Sequence, residues 1–157
     1  MTLDLKDLAP NQTVYLYQQP MFSITVSAVL IVENGTFLLE DNGTYKFPGG
    51  VVKAGQETIQ FAAVRYIKEQ VGITLQKEAF MPVDFRSDPE RSKERNVVDI
   101  GFVCMPHHVD IDSVCSRKNV KWAIINFENN KLEKSLKFFM DHELLLTRAI
   151  DVIHLMK

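Results

Sequence analysis

Gly49, Gly50, Glu57, Arg65, Glu69 and Gln70 fall within one stretch, FPGGVVKAGQETIQFAAVRYIKEQVGIT, residues 47–74. A glycine-rich lead-in, a helix and a closing glycine form the outline of a phosphate-handling motif. Glycines let backbone N–H groups come close to phosphate oxygens, and the start of a helix favours anions. The plainer role of the glycine pair is a tight turn. Glu57 and Arg65 carry opposite charges and could tie loop to helix by a salt bridge. A helix turns once in about 3.6 residues, so positions 66, 69 and 70 share a face. That face presents Tyr66, Glu69 and Gln70, of which Glu69 alone is an acid. On the plain reading Glu69 is a solvated helix acid.

These residues need elements to position them. FSITVSAVLIV, residues 22–32, is β-branched and alternating, which predicts a strand. Glu33-Asn34-Gly35-Thr36 predicts an Asn-Gly hairpin turn with positive φ at both central positions, and 37–40 the return strand. DNGTYKF predicts a second turn and a short extended piece. Thr58 suits an N-cap, Ile59, Ala62, Ala63 and Ile67 have helical spacing, and Gly72 suits a left-handed stop. Strands are predicted at 80–85, 96–105 and 120–127, with the charged loop RSDPERSKER between the first two. PHHVDID reads as an exposed connection, and Trp122 as core. Asp141 can cap a last helix whose stripe is Leu144, Leu145, Ala149, Val152, Ile153 and Met156. That stripe reads as core packing.

The whole chain sets bounds. Its 157 residues fit one domain over 1–157, with residues 1–20 an irregular or short helical lead. With 46% hydrophobic and 24% charged residues, the chain can bury a core. A net charge of −2 argues against direct nucleic-acid binding, which draws on a basic excess. Cys104 and Cys115 do not make a zinc cluster by themselves or a disulfide framework, so a reduced, cytoplasmic setting is expected. MTLDLKDLAP carries acids where a signal peptide carries bases, and no run is long enough to span a membrane. Asn11, Asn34 and Asn42 head glycosylation-type triplets that read as turn chemistry.

The order strand, hairpin, PGG, helix, strands, helix resembles the Nudix superfamily. Its signature runs glycine, spacer, glutamate, spacer, arginine-glutamate, an apolar residue, a pair of glutamates, then a glycine and an apolar residue. Gly50, Glu57, Arg65, Ile67, Glu69, Gly72 and Ile73 fall at matching positions. The loop from Gly50 to Glu57 is one residue longer than the signature's. An alternative register with Gln56 at the glutamate position puts the helix out of phase, so Glu57 is preferred. Tyr66 and Gln70 stand where the family has glutamates. Pro89, Arg91 and Arg95 resemble the substrate loop of the ADP-ribose pyrophosphatase-like branch, and Asp141-His142 its last helix start.

The resemblance implies an α/β (α+β) Nudix fold, a mixed β-sheet sandwiched between helices. It implies Glu69, Glu57 and Arg65 as catalytic residues and Glu69, Gln70 and Glu57 as the metal set for Mg²⁺ or Mn²⁺. It implies Gly49, Gly50, Arg91, Arg95 and Tyr45 as contacts to a nucleotide-type small molecule. Arg91 and Arg95 also read as a solvated mixed-charge face. Magnesium wants oxygen ligands, usually one or two carboxylates with substrate phosphates and water. Losing two acids lowers the metal's contribution by several kcal/mol, so weak or altered hydrolysis of a nucleoside diphosphate linked to another group is expected. Asp99, Glu90 and Glu94 are candidates for a compensating carboxylate. The alternatives are an inactive nucleotide-binding sensor or regulatory module, and a scaffold whose cleft Tyr66 closes. A homodimer is among the expected assemblies.

Overall fold

The computed structural model describes residues 22–91 and 96–157. The expected N-terminal lead and Glu94 and Arg95 lie outside the described residues. The chain order is β1 (Phe22–Val32), β2 (Gly35–Asp41), β3 (Thr44–Lys46), β4 (Gly49–Val51), α1 (Ile59–Tyr66) running into a π turn (Ile67–Val71), β5 (Met81–Arg86) and β6 (Asn96–Cys104). It continues with α2 (Ile111–Cys115), β7 (Val120–Asn126), β8 (Lys131–Leu132) and α3 (His142–Leu155). Short 3₁₀ turns precede β5 and follow it, at Lys77–Ala79 and Pro89–Arg91. The mixed sheet has the order β5-β6-β1-β2-β7-β8, with β3 on β2 and β4 on β1. Helices cover both faces, as the α+β expectation requires.

Strand β1 explains the layering. Its side chains alternate, so Val26, Ala28, Leu30 and Val32 join Ala62, Ala63, Ile67 and Val71 of the α1 region in one core. Val29 and Ile31 point the other way, into a second core with Leu145, Leu146, Ala149, Ile150 and Ile153 of α3. A strand buried on both faces reads as a continuous apolar run, here AVLIV. β1 pairs parallel with β6 from Phe22↔Asn96 to Leu30↔Cys104, and antiparallel with β4 at Thr25–Ser27.

Three local expectations change. The first hairpin turns at Glu33-Asn34, where positive φ falls on Glu33 (52°), and Gly35 already pairs with Val32 in the ladder. Gly35 is needed there for packing, since a Cβ would lie 2.5 Å from the Trp122 ring. The pair of positive φ values occurs instead at Asn42 (50°) and Gly43 (76°) of the second turn. PHHVDID leads into a helix: Asp110 caps α2 by accepting the Ser113 N–H. On α3, Leu144 and Met156 face solvent while Leu146 and Ile150 are buried. The buried set His142, Leu145, Leu146, Ala149, Ile150, Ile153 follows helical spacing from His142, which fixes the rotation of the helix.

Candidate functional site

Thr58 caps α1 as expected, its side chain accepting the Phe61 N–H at 3.2 Å. Gly72 closes the segment at φ 82°. Between them the winding changes. From Ile67 the backbone takes a π turn, with the Gly72 N–H bonded to the Ile67 carbonyl. Positions 66, 69 and 70 therefore do not form one equivalent face.

Gln70 closes on the backbone of Gly49. Its Oε1 accepts the Gly49 N–H at 2.8 Å and its Nε2 donates to the Gly49 carbonyl at 3.0 Å. Tyr66 lies over Gly50 and donates its hydroxyl to the Val51 carbonyl at 2.8 Å. Both side chains bind the helix to β4. Glu69 points elsewhere: its side chain is 57% exposed and its carboxylate is 3.5 Å from Arg65. It borders a groove with Glu40, Asp41, Lys46 and Arg117.

Glu57 occupies the preferred register. Its Oε2 accepts from Arg65 Nε at 2.9 Å, and its Oε1 accepts from Arg65 Nη2 at 2.6 Å and from the Lys53 N–H at 2.9 Å. The hydrogen bond from Arg65 leads the causes that hold the Glu57 carboxyl down at about 2, and the same bond raises Arg65. The pair holds loop to helix.

The glycines owe their identity to close approach. A Cβ on Gly49 would stand 1.9 Å from the Val26 carbonyl oxygen, and one on Gly50 would strike the Tyr66 ring. The Gly49 N–H expected to face phosphate is taken by Gln70.

Beside the glycines a cavity of about 220 Å³ opens between β1, β4, β6 and the start of α3. Thr25, Ser27, Lys46, Phe47, Arg91 and His142 supply its polar and aromatic walls. Lys46 also borders the Glu69 groove, so it joins the two spaces. Asp99 lines the cavity but is buried and engaged, accepting from Ser27 and Thr25 and pairing with Arg86. Burial raises its carboxyl above the usual range against the pull of Arg86.

Asp141 stands at the N-cap of α3 but does not cap it. Its carboxylate accepts from Arg91 Nε and Nη2, both at 2.9 Å, and from Arg86 Nη1 at 2.6 Å. Two guanidinium groups outcompete one backbone N–H for the same oxygens. Burial pushes Asp141 up, but the Arg91 bond and the charges of Arg86 and Arg91 more than reverse this, leaving it below the usual range. Arg91 is therefore part of a buried network, not a solvated face: its side chain is 5% exposed.

The structure brings Gly49, Gly50 and Arg91 to the cavity wall and puts Glu69 and Gln70 on the neighbouring groove. Tyr45 is placed apart, in a recess with Trp122 and Leu132, paired by a bridge to Phe138. Its strand alternation turns it from the side that Lys46 faces. Glu90 lies in the outer pocket with Asp88 and Arg148. Sequence reasoning missed Lys46 and Phe47 as wall residues, and named His142 with Asp141 as a helix start without giving it a place in the site. For His142 the signal was present, as a polar residue heading the apolar helical series 145, 146, 149, 150; for Lys46 there was none.

The Mg²⁺ or Mn²⁺ expectation can be tested on these donors. Glu57 is committed to Arg65 and Lys53, the Gln70 oxygen to Gly49, and Tyr66 donates rather than accepts. Glu69 is left as the one solvent-exposed carboxylate of the set, and it pairs with Arg65. Among the described residues no three His, Cys, Asp or Glu side chains converge as a metal-binding group. The box residues do not fit a divalent ion.

The model of the NUDIX domain matches residues 21–143. The chain is 31% identical over 90 residues to a "MutT-like protein" of Streptomyces ambofaciens, covering 55% of this chain and 54% of that one. It is 30% identical over 93 residues to an "ADP-ribose pyrophosphatase" of Methanocaldococcus jannaschii, covering 56% and 52%. The chain thus spans about half the length of these curated relatives. Among solved structures, the NUDIX domain of Shewanella oneidensis NrtR complexed with ADP ribose matches at TM-score 0.67 and 16% identity, over 93% of this chain and 99% of that one. The longer NrtR chain, solved with a 27mer DNA, is covered to 61%. These likenesses show the fold. Among the described residues no helix is long and apolar enough to cross a membrane.

Proposed function

The chain belongs to the NUDIX domain family, and we propose that it is a member which holds a nucleoside diphosphate linked to a second group and does not hydrolyse it by the family's metal chemistry. The observation that carries this reading is the Gln70 amide closed on both polar groups of Gly49. It turns a position that the resemblance assigns to a metal ligand into a strut between helix and strand. The cavity beside it stays open, with Lys46 and Arg91 as cations on its wall. Support for an ADP-ribose-like ligand comes from the relative whose NUDIX domain was solved with ADP ribose and from the ADP-ribose pyrophosphatase relative. The module acts as one domain in a cytoplasmic setting.

The test is thermal unfolding with ADP-ribose in EDTA. A ligand at a hundredfold its dissociation constant stabilises the fold by about 2.7 kcal/mol, so a rise in Tm that persists without metal is expected. A flat response across ADP-ribose, NADH and nucleoside triphosphates overturns the reading.

A second reading, slow pyrophosphohydrolysis, has one observation on its side: Glu40, Asp41 and Glu69 line a single groove next to Lys46. Phosphorus-containing products from ADP-ribose with Mg²⁺ or Mn²⁺, above those of Glu69→Gln, decide for it.

A further inference from the structure

His142 opens α3 and is 5% exposed, with its ring on the cavity wall. Its Nδ1 accepts the Phe47 N–H at 2.9 Å. An acceptor nitrogen carries no proton, so the neutral ring holds its proton on Nε2. Burial keeps the imidazole neutral, pulling it down to about 3.

Two aromatic rings fix its orientation. Phe47 stacks on it with an interplanar angle of 7°, and Phe139 meets it edge-on at 68°, each with centroids 5.9 Å apart. A flip of the imidazole would break the bond to Phe47. With Nδ1 turned to the main chain, the remaining polar atom of a ring that lines the cavity is Nε2, a donor without charge. Lys46 and Arg91 on the same wall suit phosphate oxygens. A neutral N–H beside Val26, Phe47 and Phe139 suits a flat, uncharged group that carries an acceptor.

We propose that His142 is a specificity-determining residue, whose Nε2–H donates to a ring nitrogen or carbonyl oxygen of a nucleobase while the charged part of the ligand lies toward Lys46. This rests on the reading of the cavity as a nucleotide site. A merely structural histidine would tie Phe47 to α3 and do nothing more.

The variant His142→Asn separates the two roles. An asparagine oxygen reaches the place of Nδ1 and can accept the Phe47 N–H, but nothing replaces Nε2–H. Calorimetry with ADP-ribose in EDTA is expected to show about a three- to tenfold loss of affinity, the worth of one neutral hydrogen bond, with the ligand-free Tm retained. In the wild type, long-range proton–nitrogen spectra of the imidazole are expected to show a protonated Nε2 whose signal moves when ADP-ribose is added. That measurement decides the matter if the variant does not fold. A variant that binds like the wild type, a protonated Nδ1, or an Nε2–H signal indifferent to ADP-ribose overturns the assignment alone. A wild type that does not bind ADP-ribose overturns the nucleotide reading and this assignment with it.

Discussion

Gln70 shows how much one side chain decides. It fills both of its hydrogen-bonding roles on Gly49, a residue 21 positions away. Gln70→Ala leaves a part-buried N–H and C=O without partners, and a loss of about 1–3 kcal/mol in urea unfolding is expected. Glu57 was legible from the sequence because its partner Arg65 lies on the next helix and the pair is a matter of spacing and charge. Gln70 was not, because its partner is backbone that becomes a neighbour only after folding. Asp141 misled for a related reason: its position favours a cap, while its charge answers to Arg86 and Arg91. The Glu57 pair also carries a pH prediction. Its carboxyl sits at about 2 in the fold against 4.5 ordinarily. A carboxyl lowered in the fold stabilises above its unfolded value and loses this as the pH falls through the folded one. Glu57→Gln is therefore expected to cost about 1 kcal/mol at pH 7, a difference that narrows from pH 4.5 toward pH 2.

At the scale of elements, the π turn is where helix and strand agree to meet. It lets Tyr66 and Gln70 both reach β4 and turns Glu69 out toward Arg65. The predicted helix was right in place, cap and stop; its change of winding has no sequence signature. The approach of β4 to β1 depends on Gly49, and Gly49→Ala would force a Cβ into the Val26 carbonyl. An expected loss of about 2–4 kcal/mol by urea unfolding follows. The rotation of α3 buries His142 together with Leu145, Leu146, Ala149, Ile150 and Ile153. Below pH 6.5 an unfolded histidine takes up a proton that the buried one refuses down to about 3. Its folded value is lowered, so stability is present above 6.5 and drains as the pH falls. Stability is expected to fall steadily as the pH drops from 6.5 toward about 4. His142→Asn removes that fall, which a pH series of urea midpoints would show.

For the molecule as a whole, the sheet between helices was expected from the resemblance, while β1, read only as an alternating strand, carries the apolar run that the structure buries on both faces. Of the cavity walls, Gly49, Gly50 and Arg91 were named through the resemblance, while Lys46, Phe47 and the ring of His142 were not, because they meet only once distant segments fold together. Among the described residues no cluster of His, Cys, Asp or Glu could hold a metal, so EDTA alone is expected to leave the ligand-free Tm unchanged, and a fall on chelation would reveal a structural ion. The parallel ladder of β1 with β6 joins Phe22 to Asn96. During synthesis the first strand leaves the ribosome long before that neighbour exists. The hairpin of β2 and the return through β4 can cover one border early, but the other waits for the segment 96–104. Through that interval a strip of valine, leucine and isoleucine main chain stands open, and a chaperone or a neighbouring nascent copy is the first thing that can take its place.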